Sequence, residues 1–377
     1  MRILYYLPSL FTSGGLERII TLKANYLAEV FGFDVIMLNS EQQGKIPYFP
    51  LSPRIQHLDL NVVFDARNGQ PKALRLIQYP FKYYLFRKRF SRVLYHYRPD
   101  ITITTLRREL NFLTSLNDRS IKIGEFHVTR HAYQAGSIQG SNILKRIIKN
   151  MWGKLFVRNL KKLSRLVLLT REEASLWPEL TNTIVIHNPL SFKSETFSTC
   201  EQKRVIAVGR FSYQKGFDLL IDAWKIVYQR NPQWKLTIYG EGNRQPFQDQ
   251  IDLNGLSDSC ILEEPVTNIA DKYTESSVFV LSSRFEGFGM VIVEAMTCGV
   301  PPVSFACPCG PKDIITDGHD GLLAEPENIR DLASKICFLI EHEDIRKEMG
   351  RKAKASAERF RVENIMHQWK ELFESFV

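Results

Sequence analysis

Nowhere in the 377 residues do about 18 uncharged apolar side chains follow one another, so the sequence offers no helical membrane span. Met1 is followed at once by Arg2-Ile3-Leu4-Tyr5-Tyr6-Leu7-Pro8, which is too short for the apolar core of a secretory signal and lacks a small-residue cleavage site. The expected location is therefore cytoplasmic, or peripheral on the inner face of the plasma membrane. Cysteine is scarce: Cys200, Cys260, Cys298, Cys307, Cys309 and Cys337 have no regular spacing and read as reduced, buried thiols. Cys307 and Cys309 find no Cys/His pair to complete a structural zinc site. Asp-x-Asp is absent too, which argues against a divalent metal bridging a diphosphate. No Gly-x-Gly-x-x-Gly follows an early strand, which argues against a dinucleotide-dependent oxidoreductase.

What is present is ordinary globular composition, 44% hydrophobic and 24% charged, in a chain too long for one core. Two domains are expected, residues 1–190 and 191–359, with 360–377 returning to the first. The net charge of +9 is unevenly spread. Residues 1–190 hold 28 Lys and Arg against 13 Asp and Glu, so the basic surplus belongs to the first half. Two stretches there lack acids altogether. Residues 71–99 combine eight cations with eight Phe or Tyr, and residues 142–165 carry eight more cations, with Leu144, Ile148, Met151 and Leu155 at helical spacing. An anionic membrane surface fits such segments. A basic nucleic-acid-binding protein is the other reading, but no helix-turn-helix, zinc-finger or RNA-recognition signature accompanies the charge.

Short apolar runs at 2–7, 33–38, 101–105, 121–126, 166–169 and 183–186 alternate with helical stretches, the pattern of buried parallel strands. The polar segment 191–203 breaks the rhythm and reads as a linker. Beyond it the alternation restarts with strands at 204–208, 235–239, 260–262 and 278–282, followed by three helical segments that begin near 328, 344 and 362. The fold class is α/β, with two parallel sheets covered by helices.

Two motifs carry chemistry. Gly209-Arg210-Phe211-Ser212-Tyr213-Gln214-Lys215-Gly216 leaves the first strand of the second domain with two cations, beside glycines that let backbone approach; this suits a diphosphate. Glu286-Gly287-Phe288-Gly289-Met290-Val291-Ile292-Val293-Glu294 follows a later strand and enters a helix, whose first amides are open to sugar hydroxyls or phosphate oxygens. Glu294 falls inside an apolar stretch, where a lone charge is costly.

These two motifs, in that order and with a Gly14-Gly15 turn near the start of the chain, resemble the family 4 retaining glycosyltransferases of the GT-B fold. The resemblance spans nearly the whole chain and is strongest from 204 to 323. It implies two Rossmann-like domains facing each other across a cleft, with the C-terminal helix crossing back to the N-terminal domain. It also implies a hexose or N-acetylhexosamine moved from a nucleotide diphosphate sugar, UDP favoured, to a saccharide acceptor that is lipid-linked, in surface polysaccharide or glycan assembly. No cofactor and no metal are implied. Arg210 and Lys215 would stabilise the leaving diphosphate. Glu286 would hold the transferred sugar, helped by Gly287 and the amides of Phe288, Gly289 and Met290, and Glu294 the ribose. Backbone near Val266 would meet the base, Gly14 and Gly15 the phosphates and acceptor, and His127 the transferred sugar. A nucleotide-sugar 2-epimerase on the same fold is the nearest rival.

Overall fold

A computed structural model describes residues 1–64, 72–130, 143–192 and 194–376. By its contacts the chain divides into two compact units: Met1–Leu169 with Ala174–Pro189 and Ile365–Val377, and Leu190–Asn364 with Thr170–Glu173.

The first unit is built on seven parallel strands: β1 (Arg2–Tyr6), β2 (Asp34–Asn39), β3 (Gln56–Asp59), β4 (Ile101–Thr104), β5 (Ile121–Phe126), β6 (Arg165–Leu168) and β7 (Thr183–Val185). Their spatial order is β3-β2-β1-β4-β5-β6-β7. The central strands are buried on both faces, which is why they read as continuous apolar runs. Strand β3, with the sequence Gln-His-Leu-Asp, lies at the sheet edge and is only half-buried, so its sequence carries no such run.

Over this sheet the helix Lys72–Tyr97 buries Phe86, Phe90 and Leu94. The Phe86 and Phe90 rings meet Tyr6, Phe112 and each other largely edge-on, an arrangement that adds about 0.5–1.5 kcal/mol per pair beyond the buried area. The last helix, Val362–Glu374, presents Ile365, Met366, Trp369, Leu372 and Phe373 along one buried stripe, and from Ile365 onward it packs with the first unit. The expected return of the chain's end to the N-terminal domain is what the structure shows.

The second unit holds six parallel strands: β8 (Arg204–Val208), β9 (Lys235–Tyr239), β10 (Cys260–Glu263), β11 (Val278–Leu281), β12 (Pro302–Phe305) and β13 (Leu322–Ala324). Their order is β10-β9-β8-β11-β12-β13, so successive connections run outward from β8 in one direction and from β11 in the other. Such a reversal leaves a crevice at the carboxyl edge between the two strands. Strands β12 and β13 are absent from the sequence reading, the first because it opens on proline, the second because it is three residues long.

The segment Thr170–Glu173 clusters with the second unit although its neighbours belong to the first. There the backbone N–H groups of Arg171 and Glu172 donate to the Asp313 carboxylate, and Lys312 Nζ lies 2.6 Å from Glu172 Oε1.

Candidate functional site

Both sequence motifs of the second unit sit at the reversal point. Residues 209–216 leave β8, residues 282–289 leave β11, and these strands are neighbours with Val205 opposite Val278. Because all six strands run parallel, the loop after β9 and the loop after β10, which carries Val266, open on the same edge. Val266 is partly exposed there.

The two principal loops lock together through backbone. Arg284 N–H donates to Gln214 O at 2.8 Å, and Gln214 Nε2 donates to Phe285 O at 3.0 Å. Ser282 Oγ donates to Lys215 O at 2.9 Å. At Gly216, where φ is +60°, a Cβ would stand 2.2 Å from Ser282 O, so both the conformation and the space require glycine. The Arg284 guanidinium then clamps the loop from outside. It donates to both oxygens of Asp218 at 2.9 and 2.6 Å, reaches Glu327 at 3.1 Å, and lies 4.1 Å from the Tyr213 ring centroid. Hydrogen bonding to Asp218 raises the Arg284 pKa, against the opposing effect of burial. Nothing in the sequence motif singles out Arg284 or Asp218; their role is visible only once the loops are folded.

Inside this frame Lys215 Nζ lies 2.7 Å from Glu286 Oε1, with both side chains largely buried. Ser283 Oγ donates to the same Glu286 oxygen at 2.6 Å, and Glu286 N–H donates to Pro308 O at 3.1 Å. Arg210, by contrast, is exposed. Gly289, with φ +94°, caps the helix Met290–Thr297. Phe288 is buried with its ring against Phe360, so only its backbone is available to a ligand.

One and a half turns into that helix Glu294 is also buried. The Ser191 hydroxyl lies 3.3 Å from its Oε1 and the Tyr273 hydroxyl 3.4 Å from its Oε2. The apolar run around it therefore conceals two polar partners from elsewhere in the chain.

In the first unit Gly14 precedes the helix Gly15–Glu29 and the Glu17 carboxylate folds back over it, so that a Cβ at Gly14 would stand 2.1 Å from Glu17 Oε2. Thr12 Oγ1 donates to Glu17 Oε1 at 2.7 Å. Gly15 is exposed with open space above it. His127 follows β5, and its Nε2 lies 3.0 Å from Glu125 Oε1. Glu125 is buried and also receives the Lys23 ammonium and the Tyr5 hydroxyl. Burial alone would raise the Glu125 pKa, but Lys23 and His127 outweigh it and hold the carboxyl well below its ordinary range. Burial pushes Lys23 down and Tyr5 up.

All six cysteines are free and buried. Burial raises the thiols, Cys260 to about 12 and Cys298 to about 11, so none is a ready nucleophile. Among the described residues no three His, Cys, Asp or Glu side chains converge as a metal site. No described helix is long and apolar enough to cross a membrane.

Residues 192–356, which span both loops and Glu294, match the family described as glycosyl transferases group 1. The second unit carries a glycosyltransferase group 1 domain. Over its whole length the chain is 26% identical to an uncharacterized glycosyltransferase of Haemophilus influenzae across 379 aligned positions, covering 98% of the chain and 99% of that protein. It is 30% identical to the poly(ribitol-phosphate) alpha-N-acetylglucosaminyltransferase of Staphylococcus aureus across 67% of the chain, but spans only 51% of that protein. Among solved structures, sucrose-phosphate synthase of Thermosynechococcus elongatus superposes with a TM-score of 0.80 at 18% identity, covering 99% of this chain and 98% of that one. This likeness extends the GT-B fold expected from the motifs to both units of the chain.

Proposed function

We propose that this chain is a retaining, metal-independent hexosyltransferase that moves a sugar from a nucleotide diphosphate donor, UDP-linked in the favoured case, to a saccharide acceptor in polysaccharide assembly. The observation that carries the reading is the Lys215–Glu286 pair, held where two loops meet at the carboxyl edge of β8 and β11. An ammonium has three donors and Glu286 takes one, so Lys215 retains two for phosphate oxygens while neutralising the carboxylate beside it.

As the bond between the sugar C1 and the diphosphate oxygen breaks, its electron pair moves onto the diphosphate. Lys215 and Arg210 stabilise that growing charge, the role a metal would otherwise fill. The acceptor hydroxyl bonds to C1 on the face the diphosphate leaves, and its proton passes to the departing phosphate oxygen. No protein nucleophile is required. Glu286, with the backbone of Gly287, Phe288, Gly289 and Met290, is assigned to hydroxyls of the transferred sugar. Glu294 is assigned to the ribose and backbone around Val266 to the base. From the first unit, Gly14, Gly15 and His127 are assigned to hydroxyls of sugar and acceptor. Glu17 beside Gly14 favours a hydroxyl there over a second anion.

The name of the Staphylococcus relative supports an N-acetylhexosamine and a polymeric acceptor. A lipid-linked acceptor is supported by the outer face of the helix Lys72–Tyr97, where Ile77, Phe81, Tyr84 and Lys88 form one exposed stripe with Arg87 and Arg92 nearby. On the helix Ile143–Leu160, Met151, Trp152 and Leu155 are likewise exposed. The side chains of Leu144 and Ile148 lie outside the described residues.

The deciding experiment is a thermal-shift panel of nucleotide sugars, followed by product analysis with and without saccharide acceptors. Transfer with retained anomeric configuration supports the reading. Conversion of the donor sugar without any acceptor would make the chain a 2-epimerase instead.

A further inference from the structure

Lys215 sits between two residues that a single guanidinium holds. On its N-terminal side Arg284 Nη1 donates to the Tyr213 carbonyl at 2.8 Å, and the guanidinium carbon lies 4.1 Å from the centre of the Tyr213 ring. On its C-terminal side Nη1 and Nη2 donate to the two oxygens of Asp218 at 2.9 and 2.6 Å. Nε donates to Glu327, in the loop after β13, at 3.1 Å. The Arg284 side chain is 10% exposed, but Asp218 is 43% and Glu327 55% exposed. Ion pairs to acids so open to water add little to stability, so the geometry this fork imposes matters more than its energy.

The segment between Tyr213 and Asp218 needs such support. Tyr213–Lys215 is one 3-10 turn, with Lys215 N–H donating to Ser212 O at 3.1 Å and Gly216 N–H to Tyr213 O at 3.3 Å. A lone turn of this kind has poor hydrogen-bond geometry and no cooperative run behind it. It leads into the helix Phe217–Arg230, whose first turn carries Asp218. By joining the start of the turn to the start of the helix, Arg284 fixes the Lys215 backbone from both sides. From there the Lys215 stem passes over Gly209, where a Cβ would stand 3.1 to 3.2 Å from its Cγ, Cδ and Cε. At the far end Nζ meets Glu286 Oε1 at 2.7 Å. Glu286 follows Arg284 by two residues, so one short stretch of the loop after β11 holds Lys215 at both ends.

We propose that Arg284 is a positioning residue for the chemical step: it sets where the Lys215 ammonium stands, and it acts on turnover only through Lys215. This rests on the assignment of Lys215 to the leaving diphosphate in the proposed function and names the residue on which that placement depends. The guanidinium's own charge is not what is used, because Asp218 and Glu327 already pair with it. A lysine here would carry the same charge, but its ammonium has no planar fork to serve two carboxylate oxygens, a carbonyl and a second acid together.

Structure and kinetics of the full-length protein test this. In a crystal structure of R284M the Lys215 ammonium is expected to have left hydrogen-bond distance of Glu286; a pair retained at the parental distance overturns the proposal, and this readout needs no transfer reaction. With a confirmed donor, R284M is expected to lower kcat by about tenfold to 100-fold, the scale of a misplacement on the order of 1 Å, while donor KM changes by less than about threefold. R284K is expected to be as impaired as R284M, and a lysine that restores kcat overturns the proposal, since Arg284 would then act as a charge. Added to K215A, R284M is expected to change kcat by less than about twofold; a further loss as large as in the parent overturns it, because Arg284 would then act by another route. Should R284M fold poorly, D218N is the milder variant, since it weakens only the link to the helix; an undisplaced Lys215 together with parental kcat in D218N overturns the proposal. Failure to find any donor would sink the proposed function alone, because the displacement of Lys215 would still be readable.

Discussion

Lys215 and Glu286 come from loops that follow different strands, 71 residues apart, and meet at 2.7 Å. The pair gives the two side chains separable losses. Lys215→Ala removes a donor from the charge that develops only as the glycosidic bond breaks, so kcat should fall by about 100- to 1,000-fold with a smaller change in donor KM. Steady-state kinetics with a confirmed donor checks it, and near-parental kcat would remove Lys215 from the chemistry.

Glu294 makes the opposite kind of contribution. Its carboxylate sits beside the Ser191 and Tyr273 hydroxyls and is assigned to the ribose, which is unchanged in the transition state. Hydrogen bonds to a charged group are worth about 1.5–3 kcal/mol, so Glu294→Gln should weaken nucleoside diphosphate binding by roughly tenfold or more and leave saturated turnover less affected. Calorimetric titration with the nucleotide alone reads this directly. Unaltered affinity would move the ribose elsewhere.

The folded loops explain how much of this could be read in advance. Gly209 to Gly216 and Glu286 to Glu294 are local motifs, and local motifs are legible because strand, turn and helix are adjacent in sequence. The strands β1, β2, β4, β5, β8, β9 and β11 are likewise apolar runs that advertise themselves. The edge strand β3 and the short β12 and β13 lack that signature and form because neighbouring strands offer them ladders. Ser191 and Tyr273 beside Glu294, Asp218 on Arg284, and Lys23 on Glu125 are brought together only by tertiary packing. One hint was present: Lys23 falls between Ile20 and Leu27 on the buried face of its helix, where a cation demands a partner.

Chelation should leave activity essentially intact. Arg210 and Lys215 supply the positive charge that a diphosphate needs, and the sequence has no Asp-x-Asp to hold a bridging ion. Assays with EDTA against added magnesium or manganese decide the matter. Loss in EDTA with rescue by metal would refute the metal-free leaving-group reading.

Membrane attachment makes its own demand on the outer face of the helix Lys72–Tyr97. Arg89 is a poor choice for its test, because its guanidinium donates to the carbonyls of Leu60 and Asn61 and so helps to hold the fold. Arg87, Lys88 and Arg92 are exposed. Replacing these three by Ser should weaken binding to anionic vesicles by roughly 100-fold or more at low salt, given about 1 kcal/mol for each cation near the surface. Binding to neutral vesicles should be weak throughout, and salt should erode the difference. Equal sedimentation of parent and triple variant with anionic vesicles would leave that stripe as solvated surface.

Trp369 against Lys23 also sets an order of events during synthesis. The first unit receives its final helix only after the entire second unit has emerged from the ribosome, since Ile365–Val377 belongs to the former and Leu190–Asn364 to the latter. Until then the Lys23 ammonium lacks the cover of the Trp369 ring, and the apolar surface that Ile365, Met366 and Phe373 will bury stays open to water. The second half can therefore close its core first, while the first half waits for the helix that begins at Val362.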